Sequence, residues 1–127
     1  MPRQYKFTAD KARKFNKFGV DLTVYDENVP EANVVHVSVK KGHLEEFYDV
    51  TSWFIYYIVK GRGIFVLNDE KVEVKATDLI TIPPKTRIHY FGTMEMVLTT
   101  ARAYDEKNYR HVRMVSKEES PDYKKKW

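Results

Sequence analysis

The chain contains no cysteine. That absence removes disulfide staples, thiolate metal sites and a cysteine nucleophile from consideration. It is compatible with a reducing compartment, and a cytoplasmic location is the expectation. No apolar run approaches the roughly 20 residues of a membrane span, so no membrane partner is expected. The N-terminal stretch "MPRQYKFTADKARK" lacks the apolar core of a secretory signal. A continuous basic stripe is missing as well. Net charge is +4, but much of the excess sits in "DKARKFNK" and "YKKKW" at the two ends. Glu45, Glu46, Asp49, Asp69, Glu70 and Glu73 interrupt any stripe across the middle. A nucleic-acid partner would need that stripe, so none is expected, and "YKKKW" reads as a solvated tail. Internal repeats and linkers are absent too. The 127 residues fit one domain, 1–127. A domain of that size buries roughly two-thirds of the surface its unfolded chain exposes, and so needs no staples.

Helical signals are nearly absent. One short turn is expected near "TADKARKF", with Thr8 as its cap and Asp10 suited to the positive N-terminal end. The rest reads as strands. "VDLTVY" (20–25) alternates, and "VVHVSV" (34–39) puts Val35, Val37 and Val39 on one face. "KKGH" reads as a turn. "WFIYYIV" (53–59) is rich in β-branched and aromatic residues and ends at "GRG", read as a glycine turn. "IFVL" leads into a hairpin turn at "NDE". "KVEVK" turns Val72 and Val74 inward. "DLITI", "RIHYF" and "MEMVLTTARA" (94–103) close the series, with "GT" between the last two. Eight or nine short strands at this spacing make an all-β sandwich or barrel, and closing the sheet removes exposed edges. The residues after 116 are polar and read as a peripheral tail.

The stretch "YYIVKGRGIFVLNDEKVEVKATDLITIPPKTRIHYF" resembles the core of the cupins, small double-stranded β-helix (jelly-roll) barrels. "YYIVKGRG" matches the family's aromatic strand and glycine turn at Gly61. "TDLITIPP" matches its "G-D-x-x-x-I-P" step, with Thr77 in place of the usual Gly. The resemblance covers about residues 33–103 and implies an all-β, cupin-type jelly-roll barrel. It says little about function, because one barrel hosts many chemistries.

The resemblance also implies where a metal would be held. The family's first motif is His-x-His, a short spacer, Glu, six residues and Gly. Anchored on Gly61, the Glu falls at Phe54. The two His fall at Tyr48 and Val50, or at Phe47 and Asp49 with a longer spacer. The second motif's His falls at Ile88 or at His89, depending on which proline is the anchor. At most one of four ligands remains. A catalytic metal needs about three protein ligands and an open position, so no metal and no cofactor are expected. His36 shares a face with Val34 and Ser38, and His43 is read as an exposed turn residue; neither completes a ligand set.

Nine tyrosines offer rings with polar tips to whatever fills the barrel. If Phe54 faces inward, alternation turns Tyr56 and Ile58 inward too, and Tyr48 joins them under the shorter spacer. Ile88 and Tyr90 share one face of the return strand, while Arg87, His89 and Phe91 share the other. The strict register puts Ile88 and Tyr90 in the lumen; the relaxed one puts His89 there. The candidate ligand-contacting set is therefore Tyr48, Phe54, Tyr56, Ile88, His89 and Tyr90. The leading reading is a metal-independent barrel that binds a small polar ligand, a sugar or carboxylate, in a Tyr-lined cavity. A second is a metal-free isomerase or epimerase using His89 and Tyr56 as acid–base residues. The third is a purely structural dimeric barrel, its lumen packed by Phe54, Ile58, Ile88, Met94 and Met96. Ile55, Tyr57 and Val59 would form an outward apolar stripe, covered by the segment around Phe15, Phe18 and Val20 or by a second copy; a homodimer is expected. The segment 101–113 reads as an edge strand, with His111 and Arg113 alternating against Val112 and Met114.

Overall fold

The structure, a computed structural model, describes residues 4–25 and 29–120. The expected basic tail "YKKKW" lies outside the described residues. The strands are β1 (Arg13–Lys17), β2 (Val20–Tyr25), β3 (Asn33–Val39), β4 (Gly42–Asp49) and β5 (Trp53–Leu67), followed by β6 (Glu70–Lys75), β7 (Leu79–Ile82), β8 (Ile88–Ala101) and β9 (Tyr109–Met114). All pairings are antiparallel. The path runs β1-β2-β3-β8-β4-β9, and β5 pairs with β6, β7 and β8. Among the described residues helix is confined to three 3-10 turns. The first, Ala9–Lys11, lies where a helical turn was expected, but the Thr8 side chain makes no capping bond.

Two strands make the barrel. β5 has 15 residues and β8 has 14, and each bends at glycine. "GRG" is therefore not a turn between two strands, and "GT" does not divide β8. The ladder continues through both, pairing Gly63 with Gly92 and Gly61 with Met94. A Cβ on Gly63 would lie 2.3 Å from the Phe91 carbonyl oxygen, and one on Gly92 2.4 Å from that of Arg62. Gly61 and Gly92 also hold φ of +88° and +142°, which side chains disfavour. A register shift between Ile58 and Lys60 sharpens the bend. Beyond the corner each long strand joins a different set of neighbours. The first half of β5 and the second half of β8 lie with β1, β2, β3 and β7. Their other halves lie with β4, β6 and β9.

Inward side chains from both sets share one core. Val35, Val37 and Val39 from β3, Phe54, Tyr56 and Ile58 from β5, and Met94, Met96 and Leu98 from β8 follow strict alternation. Val74 is buried and Val72 packs against the core from the edge. The "NDE" hairpin forms with φ of 49° at Asn68 and 71° at Asp69, the left-handed pair that a tight two-residue loop requires. Strands outside 33–103 complete the sheet: β1 and β2 before it, β9 after it. On the outer face a second apolar cluster, Ile64, Val66, Phe91 and Val115, packs with Leu44. The following 3-10 turn is closed by a reciprocal capping box between Ser116 and Glu119.

Candidate active site

The lumen is not packed solid. A cavity of about 350 Å³ opens between the two halves of the barrel. One wall comes from β1 to β3, where Arg13, Phe15 and Lys17 alternate inward with Val20, Leu22, Val35 and Val37 behind them. The other wall is aromatic. His43, Phe47, Phe54, Tyr56 and Tyr90 form a closed circuit of rings. Successive centroids lie 4.9 Å (His43–Phe47), 5.8 Å (Phe47–Phe54), 6.4 Å (Phe54–Tyr56), 5.8 Å (Tyr56–Tyr90) and 5.4 Å (Tyr90–His43) apart.

His43 is the polar group best placed for proton chemistry. It is buried at 5% exposure. Its Nδ1 lies 2.8 Å from the Glu45 carbonyl oxygen. A carbonyl can only accept, so Nδ1 carries the proton and Nε2 keeps its lone pair. Burial holds the imidazole pKa down at about 4, against the bond to the Glu45 carbonyl; nearby Lys17 and His89 lower it further. The ring is neutral at physiological pH. The hydroxyls of Tyr56 and Tyr90 hydrogen-bond to each other, and burial raises the pKa of both. Both therefore stay protonated and able to donate.

Glu45 ties the cavity to the surface. It is 2% exposed. One carboxylate oxygen accepts from the Tyr109 hydroxyl, and the other lies 2.7 Å from Nδ1 of the half-exposed His111. Tyr109 lines the cavity, stacks on Phe47 at 5.0 Å, and carries the Lys17 ammonium 3.8 Å from its ring centroid. Burial lowers the Lys17 pKa, opposed by the charges of Glu45 and Glu106.

Of the residues expected at the site, Phe54, Tyr56 and Tyr90 line the cavity. Ile88 is buried in the core but is not part of the cavity wall. Tyr48 is not there either: a bulge between His43 and Phe47 turns Phe47 inward and leaves Tyr48 half-buried beside Arg110. His89 is on the opposite face of β8. It packs edge-on against Phe91 at 5.5 Å, and its Nδ1 sits 3.5 Å from Glu46 without forming a hydrogen bond. The strict register thus describes β8, and the catalytic part assigned to His89 has no place in the cavity. The exposed-turn reading of His43 is likewise corrected, because "GH" begins β4. β9 is the expected edge strand, paired with β4 at the end of the sheet path, but its alternation does not give one wet face. Val112 and Met114 are exposed, whereas His111 and Arg113 reach back to the buried Glu45 and Glu46.

Sequence reasoning missed His43, Phe47 and all of β1. The alternation of Arg13, Phe15 and Lys17 was a usable signal, hidden by reading that segment as a helical turn, a basic end and a cover for the outer stripe. Among the described residues no three His, Cys, Asp or Glu side chains gather as a metal site. His36 lies on the outer face, 3.4 Å from Glu95.

The fold and site define a cupin-class barrel. The oxalate decarboxylase of Bacillus subtilis shares the architecture at TM-score 0.77 and 14% identity, over 88% of this chain and 33% of that one. KdgF from a Halomonas species does so at TM-score 0.68 and 16% identity, over 82% and 98%. These likenesses concern the fold alone. A much nearer relative is Pac13, a β-barrel nucleoside dehydratase, at 57% identity and TM-score 0.90 over 93% of this chain and 98% of that one. The chain belongs to the Pac13 family. Streptomyces Pac13 variants with Tyr→Phe, His→Gln and Tyr→Phe exchanges have been solved with uridine, each 56% identical to this chain. An uncharacterised protein of Methanocaldococcus jannaschii is 61% identical over 36 residues, 28% of this chain and 29% of that protein's length. No family model matches the chain.

Proposed function

We propose that this protein binds a uridine-class nucleoside in the cavity and removes water from it by metal-independent acid–base chemistry. The observation that carries the reading is a coincidence of spacing. The histidine and two tyrosines exchanged in the uridine-bound Pac13 variants are separated by 13 and 34 residues. His43, Tyr56 and Tyr90 have the same residue types at the same separations, and here they meet on one cavity wall. A nucleoside is a sugar derivative, so this sharpens the small-polar-ligand reading. It also keeps the His/Tyr acid–base alternative, with His43 in the part assigned to His89.

Dehydration breaks a C–H bond and a C–O bond and forms a C=C bond. In this reading Nε2 of His43 takes the proton from carbon, and the C–H electron pair becomes the new π bond. The Tyr56–Tyr90 pair delivers a proton to the departing hydroxyl, which leaves as water. The imidazolium then returns its proton to the tyrosinate, restoring both groups. An imidazole with a pKa near 4 is a weak base, so it can act only on an acidified carbon. The substrate therefore carries a carbonyl or equivalent beside the carbon that loses its proton. The aromatic and aliphatic walls exclude water from the reactive intermediate. Lys17 supplies positive charge at the rim where electron density builds on that activating group.

The test is incubation with uridine and with uridines carrying a carbonyl at one ribose carbon, followed by mass spectrometry for loss of one water. The reading expects water loss from at least one activated uridine, and none with His43→Gln. A uridine that binds but is never dehydrated would leave a binding module. Failure of every nucleoside to bind would remove the reading.

A further inference from the structure

We infer that Asn33 and Thr100 form the base-reading end of the cavity, hydrogen-bonding the polar edge of a pyrimidine that presents a carbonyl beside a ring N–H. The inference rests on the nucleoside reading above. Asn33 and Thr100 are direct partners across β3 and β8, so their Cβ atoms stand about 5 Å apart. Both line the cavity wall and both are buried. Thr100 is 1% exposed, and its hydroxyl has no hydrogen-bond partner among the described residues. Native proteins seldom leave such a group unsatisfied without a functional reason. Asn33 has a fixed orientation, because its Oδ1 accepts the Tyr104 backbone N–H at 2.7 Å. Its Nδ2 hydrogens are thereby offered to an acceptor. The pair presents one committed donor and one hydroxyl that can donate or accept.

Its place in the barrel says which part of a nucleoside it would meet. Tyr56 faces Leu98 across β5 and β8, and Leu98 faces Val35. The next inward row along the same strands is Phe54, Thr100 and Asn33. That row lies about 7 Å further along, on the side of Tyr56 away from Tyr90 and His43. A ribose held by His43, Tyr56 and Tyr90 directs its base toward this row. There the Phe47 and Phe54 rings offer flat apolar surface, and Asn33 and Thr100 add buried polar groups. The imide edge of uracil, carbonyl and N–H side by side, matches one donor and one adaptable hydroxyl.

Two variants test this by calorimetric titration with uridine and N3-methyluridine. Thr100→Val keeps the shape and removes the hydroxyl. Asn33→Asp keeps an acceptor for the Tyr104 N–H and removes the amide donor. Each is expected to weaken uridine binding about tenfold or more, and Thr100→Val, which removes the acceptor for the ring N–H, should also lose the wild-type preference for uridine over N3-methyluridine. Thr100→Val should also leave the ligand-free Tm unchanged or raise it, because an unsatisfied buried hydroxyl is gone. Uridine affinities within about twofold of wild type in both variants would overturn the inference and leave the nucleoside reading standing. So would a fall in the ligand-free Tm of Thr100→Val in step with its affinity, which would mark a structural hydroxyl. Wild-type protein that binds no nucleoside would overturn both.

Discussion

His43 links stability to chemistry. Its folded pKa of about 4 lies below the ordinary histidine value near 6.5. The unfolded chain therefore binds a proton between those values that the folded chain refuses. Stability is full above about pH 6.5, falls as pH drops toward 4, and levels below it. The total loss from this residue is about 3 kcal/mol. His43→Gln should flatten that part of the profile, as urea denaturation at several pH values would show. Tyr56→Phe should bind uridine and lose turnover by about a hundredfold or more, the usual scale for a positioned proton donor. Single-turnover assays on an activated uridine would separate that loss from a change in binding. The two residues were not equally legible in the sequence. Tyr56 follows from alternation once Phe54 is placed. His43 was obscured because Gly42 after two lysines looks like a turn. In the fold Gly42 serves close approach instead: a Cβ there would lie 2.6 Å from the Tyr90 carbonyl oxygen. A glycine reads alike in both settings, because only the partner strand tells them apart.

The glycine corner governs the elements. Gly61, Gly63 and Gly92 let β5 and β8 cross at a spacing no side chain permits. Gly63→Ala pushes a methyl into the Phe91 carbonyl and the Met94 side chain. It should cost about 2–5 kcal/mol in chemical denaturation, and should loosen the cavity by shifting Tyr90 and Tyr56 relative to each other. A cost below about 1 kcal/mol would show that the corner relaxes easily. Strand composition made β2, β3, β6 and β7 readable almost to their ends. The β4–β9 pairing was harder, since its anchors are charged. Glu46 is buried between Arg87 and Arg113, each at 3.3 Å, and Glu45 between Tyr109 and His111. Sequence alone places acidic residues in water; only the partners gathered by the fold explain their burial.

The whole barrel leaves one sheet face bare. Trp53, Tyr57, Val59, Leu79 and Val34 are all exposed, Leu79 at 59%. The segment once expected to cover it lies elsewhere, with Phe15 on the cavity wall and Val20 in the core. We propose that a second copy covers this face, since a monomer seldom exposes so continuous an apolar patch. Sedimentation equilibrium at micromolar concentration should give a dimer for the wild type and a monomer for Tyr57→Lys combined with Leu79→Lys. A wild-type monomer would contradict the proposal. At this scale the jelly-roll architecture was legible from strand spacing and the "YYIVKGRG" and "TDLITIPP" stretches, while the ligand was not, because Phe47, Lys17 and His43 come together only when β1 and β4 close over the lumen. The most direct measurement of the central claim is a crystal structure of His43→Gln with uridine. The account predicts the nucleoside in the cavity, its ribose within hydrogen-bonding distance of the Tyr56 and Tyr90 hydroxyls. An empty cavity at saturating uridine, or uridine bound outside it, would contradict the account.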